Sequence, residues 1–145
     1  MKVVVQRVKN ARVLVNGETI SEINLGLLLF VCVEKKDTEE DIKILADKLN
    51  RLRIFKDDNA KMNLDIKQAG GDFLSVSQFT LVADTKKGNR PGFDNAAHPE
   101  IAEKLWNKFN VFLSSSGVTV KSGAFGMDME VILNNDGPVT FILER

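Results

Sequence analysis

The chain has 145 residues, of which 43% are hydrophobic and 28% charged, as in an ordinary globular protein with a single domain, 1–145. Its 20 basic and 20 acidic side chains balance, which argues against a general nucleic-acid binder and confines any RNA contact to a local patch. No apolar run is long enough to span a bilayer or to form a signal-peptide core, so we expect a cytoplasmic protein.

The first part of the chain predicts several strands followed by one amphipathic helix. Strands are expected at 2–8, 12–15, 18–23 and 27–34, and Asn16-Gly17 predicts a hairpin between the second and the third. Thr38 and the acidic residues that follow it favour a helix start with a capping box. The apolar stripe of this helix is Ile42, Leu45, Ala46, Leu49 and Leu52.

The second part of the chain predicts a strand at 72–82, a polar loop at 83–97 and a second helix that begins at Pro99 and ends at Gly117. Three further strands are expected at 118–122, 127–134 and 139–143, arranged as an antiparallel meander. The predicted fold class is therefore α/β: a single strand-rich domain with a curved, largely antiparallel sheet packed with two amphipathic helices. The stripe of the second helix is Ile101, Leu105, Phe109, Phe112 and Leu113.

The polar loop contains a small group of basic residues, Lys86, Lys87 and Arg90, next to Gly88. These side chains are candidates for a local RNA contact. A solvated loop with no binding role is an equally good interpretation of the same residues.

The cysteine and histidine counts argue against several kinds of catalytic site. Cys32, the single cysteine, lies in an apolar strand-like run and is interpreted as a small buried hydrophobe. The single histidine, His98, precedes Pro99 and is interpreted as a surface residue at a helix start. We expect no metal site and no cofactor, and a Ser-His-Asp triad is not favoured.

Polar residues surround Phe79 at the end of the predicted strand 72–82. Side chains alternate along a strand, so Ser77 and Phe79 would share one face, and Gln78 and Thr80 the other. A half-exposed edge strand could carry these residues for structural reasons alone. Their hydroxyl groups, their amide and the backbone N–H groups could equally form an oxyanion hole, although the set contains no strong base.

Gly137-Pro138 lies between two predicted strands, where a tight turn is the simplest interpretation. A glycine before proline also permits a cis peptide bond, which could point two successive carbonyl oxygens in the same direction. Such a pair would be a rigid acceptor site that involves no side chain.

Segments along nearly the whole chain resemble the D-aminoacyl-tRNA deacylases, the D-tyrosyl-tRNA deacylase family. The most specific ones are Ser77-Gln78-Phe79-Thr80 and Gly137-Pro138. The stretch 94–98 has no assigned counterpart, so adenosine-contacting residues between Asp94 and His98 are not assigned. The other matching segments, in the family's order, are Val5-Gln6-Arg7-Val8, Arg53-Ile54-Phe55, Lys61-Met62-Asn63-Leu64, Gln68-Ala69-Gly70-Gly71, Arg90-Pro91 with Phe93, and Asp136 to Phe141.

This resemblance implies chiral proofreading in the cytoplasm: hydrolysis of D-aminoacyl-tRNA, and of glycyl-tRNA, with rejection of L-aminoacyl esters. The expected partner is the 3′-terminal aminoacyl-adenosine of tRNA. The resemblance also implies a homodimer in which a cis Gly-Pro pair enters the pocket of the partner subunit, held in position by Arg7. The residues it assigns are Ser77, Gln78 and Thr80 for catalysis, and Arg7, Phe79, Phe125, Met129, Gly137 and Pro138 for substrate binding.

An ester is already activated, so positioning and oxyanion stabilisation could suffice for its hydrolysis. Thr80 is the nearest candidate nucleophile, but an unactivated hydroxyl is a poor one. We therefore favour water activated with help from the 2′-hydroxyl of the substrate. Two alternatives stay open: a non-catalytic binding module for charged tRNA ends or nucleotides, and a hydrolase of free D-amino-acid esters or small amides.

Overall fold

The computed structural model describes residues 1–86 and 88–145, so the candidate RNA contact Lys87 lies outside the described residues. Within those residues the chain forms a six-stranded sheet, a two-stranded ribbon, two α-helices and one short 3₁₀ helix. The elements are β1 (Lys2–Val15), β2 (Glu18–Ile23), β3 (Gly26–Cys32), α1 (Glu39–Asn50), β4 (Phe55–Lys56), β5 (Met62–Leu64), β6 (Asp72–Ser77), the 3₁₀ helix (Phe79–Val82), α2 (Pro99–Ser114), β7 (Val120–Ser122) and β8 (Glu130–Glu144).

The long strand β1 organises the sheet. It merges the two strands predicted at 2–8 and 12–15, and it pairs antiparallel with β3 along its first half and with β2 along its second half. The β1–β2 hairpin is confirmed, because Asn16 and Gly17 have φ angles of 51° and 81°, both in the left-handed region that a tight two-residue turn requires. β8 pairs antiparallel with both halves of β1.

The predicted strand 72–82 is wrong beyond Ser77, where β6 ends. β6 pairs in parallel with β3, and β3 ends at Cys32. The last hydrogen bond between the two strands therefore runs from Gln78 N to Val31 O, at 2.7 Å. With no partner to pair with, the backbone turns into the 3₁₀ helix. The expected alternation of Phe79 with Ser77 therefore does not hold.

The predicted antiparallel meander at the end of the chain is also wrong. β7 pairs in parallel with β6, while the strands expected at 127–134 and 139–143 are the single strand β8. Gly137-Pro138 consequently lies inside a strand, not in a turn, at an irregularity in the register with β1. The sheet is mixed: its pairings with β1 are antiparallel, and β3–β6 and β6–β7 are parallel.

Both faces of this curved sheet are apolar, which explains why β3 is apolar at nearly every position. The two helices pack against one face. α1 follows its predicted stripe from Ile42 to Leu49, and Thr38 and Asp41 form the expected capping box, although Leu52 lies beyond the helix end. Neither α-helix described here is long and apolar enough to cross a membrane.

The predicted stripe of α2 is only partly correct. Its buried residues are Trp106, Phe109 and Leu113, whereas Ile101 is 55% exposed. The buried side includes Trp106, which the predicted stripe left out and whose indole N–H donates to a buried partner on β6. Together with the 3₁₀ helix, this side of α2 encloses the site described below.

Candidate functional site

A pocket of about 740 Å³ opens where β6 ends, between the end of β3, the start of α2 and the loop that leads into β8. Its lining brings together residues from distant parts of the sequence. Five of the predicted site residues lie in it: Ser77, Gln78, Phe79, Phe125 and Met129. The stretch that the resemblance left unassigned also contributes, through Asp94, Ala96, Ala97 and His98.

The polar groups at the end of β6 are held by local hydrogen bonds. The Gln78 side chain donates from Nε2 to Thr80 Oγ1 at 2.5 Å, which links Thr80 to the pocket although Thr80 does not line it. Phe79 and Thr80 begin the 3₁₀ helix, and the first N–H groups of a helix have no acceptor within it. The region can therefore offer an amide, hydroxyl groups and free backbone donors to a carbonyl oxygen.

His98 lies at the start of α2, exposed to solvent, as the sequence predicted, but it also lines the pocket. Within residues 1–86 and 88–145 its imidazole makes no hydrogen bond or ion pair with Ser77 or with a carboxylate. The same residues contain no group of three or more His, Cys, Asp or Glu side chains that could hold a metal ion.

Cys32 lines the pocket as well, and it is buried, as predicted. Burial, and then the nearby carboxylates of Glu34 and Asp37, raise the pKa of the Cys32 thiol to about 11. The thiolate is the nucleophilic form of cysteine, so at neutral pH this residue is a neutral wall group and not a nucleophile.

Two residues escaped the sequence analysis: one lines the pocket, and the other lies behind a lining residue. Trp106 donates from its indole N–H to Ser75 Oγ at 2.9 Å and packs against the Phe125 ring at 5.8 Å, so it ties together α2, β6 and the loop before β8. Ser75 was a possible signal, because it shares a strand face with Ser77. Gly123 gave no such signal in the sequence. A Cβ atom at this position would lie 2.7 Å from Met129 Sδ, so glycine permits the observed position of Met129.

Arg7 and Gly137-Pro138 form a second group, which does not line the pocket of the same chain. The Gly137-Pro138 peptide bond is cis, as the resemblance implies, and both residues are exposed. Arg7 is 1% exposed, and its guanidinium donates to Asp136 O at 2.9 and 3.1 Å, pairs with the Asp136 carboxylate and donates to Ile54 O.

The backbone beyond Gly137-Pro138 is held from the other side by Asn135. Its side-chain oxygen accepts from Val139 N at 2.7 Å, and its amide donates to Thr140 Oγ1 at 3.2 Å. Gly137 has φ 143°, and a Cβ there would lie 2.6 Å from Val139 Cγ2, so the position requires glycine. The pair is thus presented to solvent by a firmly held frame.

The fold and the pocket define a class of protein: a strand-rich α/β domain with a pocket at the end of β6 that hydroxyl, amide and aromatic side chains line. A family model described as D-Tyr-tRNA(Tyr) deacylase matches residues 4–144. The D-aminoacyl-tRNA deacylases of Thermodesulfovibrio yellowstonii and Dictyoglomus turgidum are 55% and 56% identical over 99% of this chain and 98% and 92% of their own lengths. The chain belongs to the D-Tyr-tRNA(Tyr) deacylase family, a family of hydrolases.

Solved structures agree with the predicted fold class. The chain is 38% identical to the c-Myc DNA Unwinding Element Binding Protein, with a TM-score of 0.93 over 100% of this chain and 99% of the other. A probable eukaryotic D-amino acid tRNA deacylase is 17% identical, with a TM-score of 0.87 over 98% and 97% of the two chains, and it supports the fold alone.

Proposed function

We propose that this protein hydrolyses the ester bond of D-aminoacyl-tRNA, and of glycyl-tRNA, to free amino acid and tRNA in the cytoplasm, and leaves L-aminoacyl esters intact. The observation that carries the proposal is the family match over almost the whole chain, together with one pocket lined by Ser77, Gln78 and Phe79. The activity is chiral proofreading of the charged tRNA, and a non-catalytic binding module is not favoured.

The ester carbonyl is held by Ser77, the Gln78 amide and the backbone N–H groups at the start of the 3₁₀ helix. Water attacks the carbonyl carbon with help from the neighbouring 2′-hydroxyl of the terminal adenosine, and the donors stabilise the oxyanion that forms. The bond from that carbon to the ribose oxygen then breaks, and the proton lost by water ends on the ribose oxygen. Phe125 and Met129 form the pocket wall around the substrate.

Selection against L-amino acids comes from a second subunit in an isologous homodimer. The partner's Gly137 and the partner's Pro138 enter the pocket. There, backbone carbonyl groups accept hydrogen bonds from the substrate ammonium and occupy the space that an L side chain needs. This is supported by the exposure of both residues, by their frame of Arg7 and Asn135, and by their absence from their own chain's pocket.

The decisive experiment is a deacylation assay on matched D-, L- and glycyl-aminoacylated tRNA, with a 2′-deoxy substrate as a further arm. We expect turnover of several D-aminoacyl-tRNAs and of glycyl-tRNA, no turnover of the L-ester, and a loss of turnover larger than any loss of binding for the 2′-deoxy substrate. Comparable cleavage of the L-ester would refute chiral selection. Equal cleavage of small esters without adenosine would favour the free-ester hydrolase, and binding without release of amino acid would favour the binding module.

Thr80 positions the Gln78 amide in this mechanism and does not attack. Thr80→Ala should therefore reduce turnover only partly, by roughly two- to tenfold, the effect of one lost hydrogen bond. Thr19→Ala, on the exposed side of β2, is the matched control and should have no effect. Complete loss of turnover in a folded Thr80→Ala variant that still binds substrate would make Thr80 the nucleophile.

A further inference from the structure

Two aromatic rings lie in contact with each other at the mouth of the pocket and remain open to solvent. Phe79 is 56% exposed and Phe93 is 38% exposed, and their ring centroids are 5.0 Å apart at an interplanar angle of 69°. Single exposed apolar side chains are common, but a contacting aromatic pair at the rim of a pocket is typical of a binding surface. We refer to these two residues as the aromatic pair.

The backbone under each ring of the aromatic pair is held in place. Phe79 starts the 3₁₀ helix, and its carbonyl oxygen accepts from Cys32 Sγ at 3.6 Å. Phe93 directly follows Gly92, which exchanges two backbone hydrogen bonds of 2.8 and 2.9 Å with Asp84. The rings therefore meet a ligand from fixed positions, and little conformational entropy is lost on binding.

The same bridge between Asp84 and Gly92 closes a loop that carries exposed basic residues. Lys86 and Arg90 both lie in this loop, and both are exposed. Positive charge is thus attached to the backbone segment that ends at Phe93. In a chain with no net charge, this local combination of cations and aromatic rings fits a nucleic-acid strand better than it fits a second copy of the chain.

We propose that the aromatic pair stacks the base next to the terminal adenosine of the tRNA, and that Lys86 and Arg90 contact the phosphates of that single-stranded end. This inference rests on the proposed function, in which the aminoacyl-adenosine fills the pocket. The next nucleotide is covalently attached and has to leave through the mouth, where the aromatic pair lies. Every base has a face that can stack on an aromatic ring, and phosphates are the usual partners of Lys and Arg.

The test compares three substrates of increasing length, each with a D-amino acid on the terminal adenosine. They are adenosine alone (the aminoacyl-adenosine), the dinucleotide cytidylyl-adenosine and the full tRNA. In the natural protein we expect kcat/KM to rise from the first to the second. Replacing an aromatic ring that stacks one base weakens binding by roughly fivefold to a hundredfold. Phe93→Ala should therefore raise KM for the dinucleotide and the tRNA at least fivefold more than for the aminoacyl-adenosine.

Phe93→Leu keeps apolar volume but not a stacking face, and it should behave like Phe93→Ala, whereas Phe93→Trp should retain the rise in kcat/KM. Val111→Ala, at a residue 66% exposed on α2, is the control and should change none of the three values. The double variant Lys86→Gln, Arg90→Gln should weaken the dependence of KM on salt for the tRNA.

Several outcomes would overturn the inference. One is an unchanged kcat/KM between aminoacyl-adenosine and dinucleotide, and another is an equal loss on all three substrates in Phe93→Ala and Phe93→Leu. A change of oligomeric state in these variants would show that the aromatic pair is a subunit contact. If the natural protein cleaves no D-ester at all, the proposed function fails first, and this inference fails with it.

Discussion

The buried guanidinium of Arg7 connects three parts of the chain that are far apart in sequence. It starts from β1, donates to the Ile54 carbonyl ahead of β4 and holds Asp136 in β8. Arginine suits this position because its planar guanidinium offers several donors at once. On one side, the placement of Gly137-Pro138 therefore depends on a side chain of the first strand, while Asn135 holds it from the other side.

Removing the Arg7 guanidinium should destabilise the folded protein. Arg7→Met leaves two carbonyl groups and a partly buried carboxylate without their donor. Because the Asp136 side chain is 28% exposed, the loss is smaller than for a fully buried pair, and the free energy of unfolding should fall by roughly 1–3 kcal/mol. Arg7→Lys keeps the charge but not the planar guanidinium, so it should recover only part of that loss. Urea denaturation measures both variants, and Arg12→Lys, at an exposed position of β1, is the control. Full stability of Arg7→Lys would show that charge alone suffices.

Because of Cys32, the free energy of unfolding should depend on pH in the alkaline range. Burial raises the pKa of its thiol from 9.0 to about 11, so between these values the folded chain holds a proton that the unfolded chain has lost. The contribution of Cys32 to stability is thus complete below pH 9 and disappears as the pH rises toward 11.

Denaturation of the natural protein and of Cys32→Ala across that window should show a steeper loss in the natural protein. The chain has no tyrosine, so thiolate absorbance in the ultraviolet follows Cys32 directly. Cys32→Ala should also keep its deacylase turnover at neutral pH. This account is contradicted if the stability of Cys32→Ala depends on pH as steeply as that of the natural protein. It is also contradicted if Cys32→Ala is folded but has no turnover.

Among the elements, α1 is a helix whose first residue is fixed by side-chain hydrogen bonds. The Thr38 hydroxyl accepts from Asp41 N, and the Asp41 carboxylate accepts from the Thr38 hydroxyl and backbone. These bonds from Thr38 lower the pKa of Asp41 below its usual value of 3.8. The stabilisation is therefore present above that value and is lost as the pH falls through the lowered pKa.

Thr38→Ala should lower the free energy of unfolding by about 1 kcal/mol, the usual effect of losing a helix cap. Because the Thr38 bonds are what lower the Asp41 pKa, the variant should also lose less stability on acidification than the natural protein. Denaturation at neutral pH and below pH 3.8 tests both points. Glu40→Ala, an exposed change in the same helical turn, serves as the comparison and should have a smaller effect.

The elements predicted correctly from the sequence are those with local causes. Asn16-Gly17 specifies its hairpin, and Thr38 with the stripe of α1 specifies that helix, because the interacting residues are neighbours in sequence. The end of β6 and the continuity of β8 were predicted wrongly. They depend on how far β3 and β1 extend as pairing partners, and no local pattern contains that information.

The same distinction applies to the site. The resemblance selected Ser77, Gln78, Phe79, Phe125 and Met129, and the fold brings these residues to one pocket. Trp106 and Gly123 were missed because their roles consist of contacts across the fold, with Ser75 in one case and with Met129 in the other. An apolar residue in a helix and a glycine in a loop look ordinary until those neighbours are known.

At the scale of the whole molecule, β8 has an unusual position for a long strand. In the part of the chain that the structure describes, it pairs with β1 alone, and Ile142 on this strand is 64% exposed. An unpaired strand edge with apolar side chains is a ready surface for another chain. This geometry supports the proposed homodimer, in which the same strand carries Gly137-Pro138 to the partner.

Mixing two inactive variants tests the shared site. One variant is disabled at Gln78 and Thr80 and the other at Gly137 and Pro138, so in a mixed dimer one pocket receives both lesions and the other receives neither. Deacylation with D-selectivity should reappear on mixing, with at most one working site per mixed dimer. Mixed dimers that form but stay inactive would mean that Gly137-Pro138 serves its own chain.

The pairing of β1 with β8 also governs when this molecule can fold during its synthesis. β1 has β2 and β3 as partners close behind it in the sequence, but its other edge pairs with β8, where Lys2 lies opposite Glu144. Ribosomes add roughly 5–20 residues per second, so the β8 edge of β1 stays without its partner for on the order of ten seconds. The sheet is therefore completed only after β8 has been made.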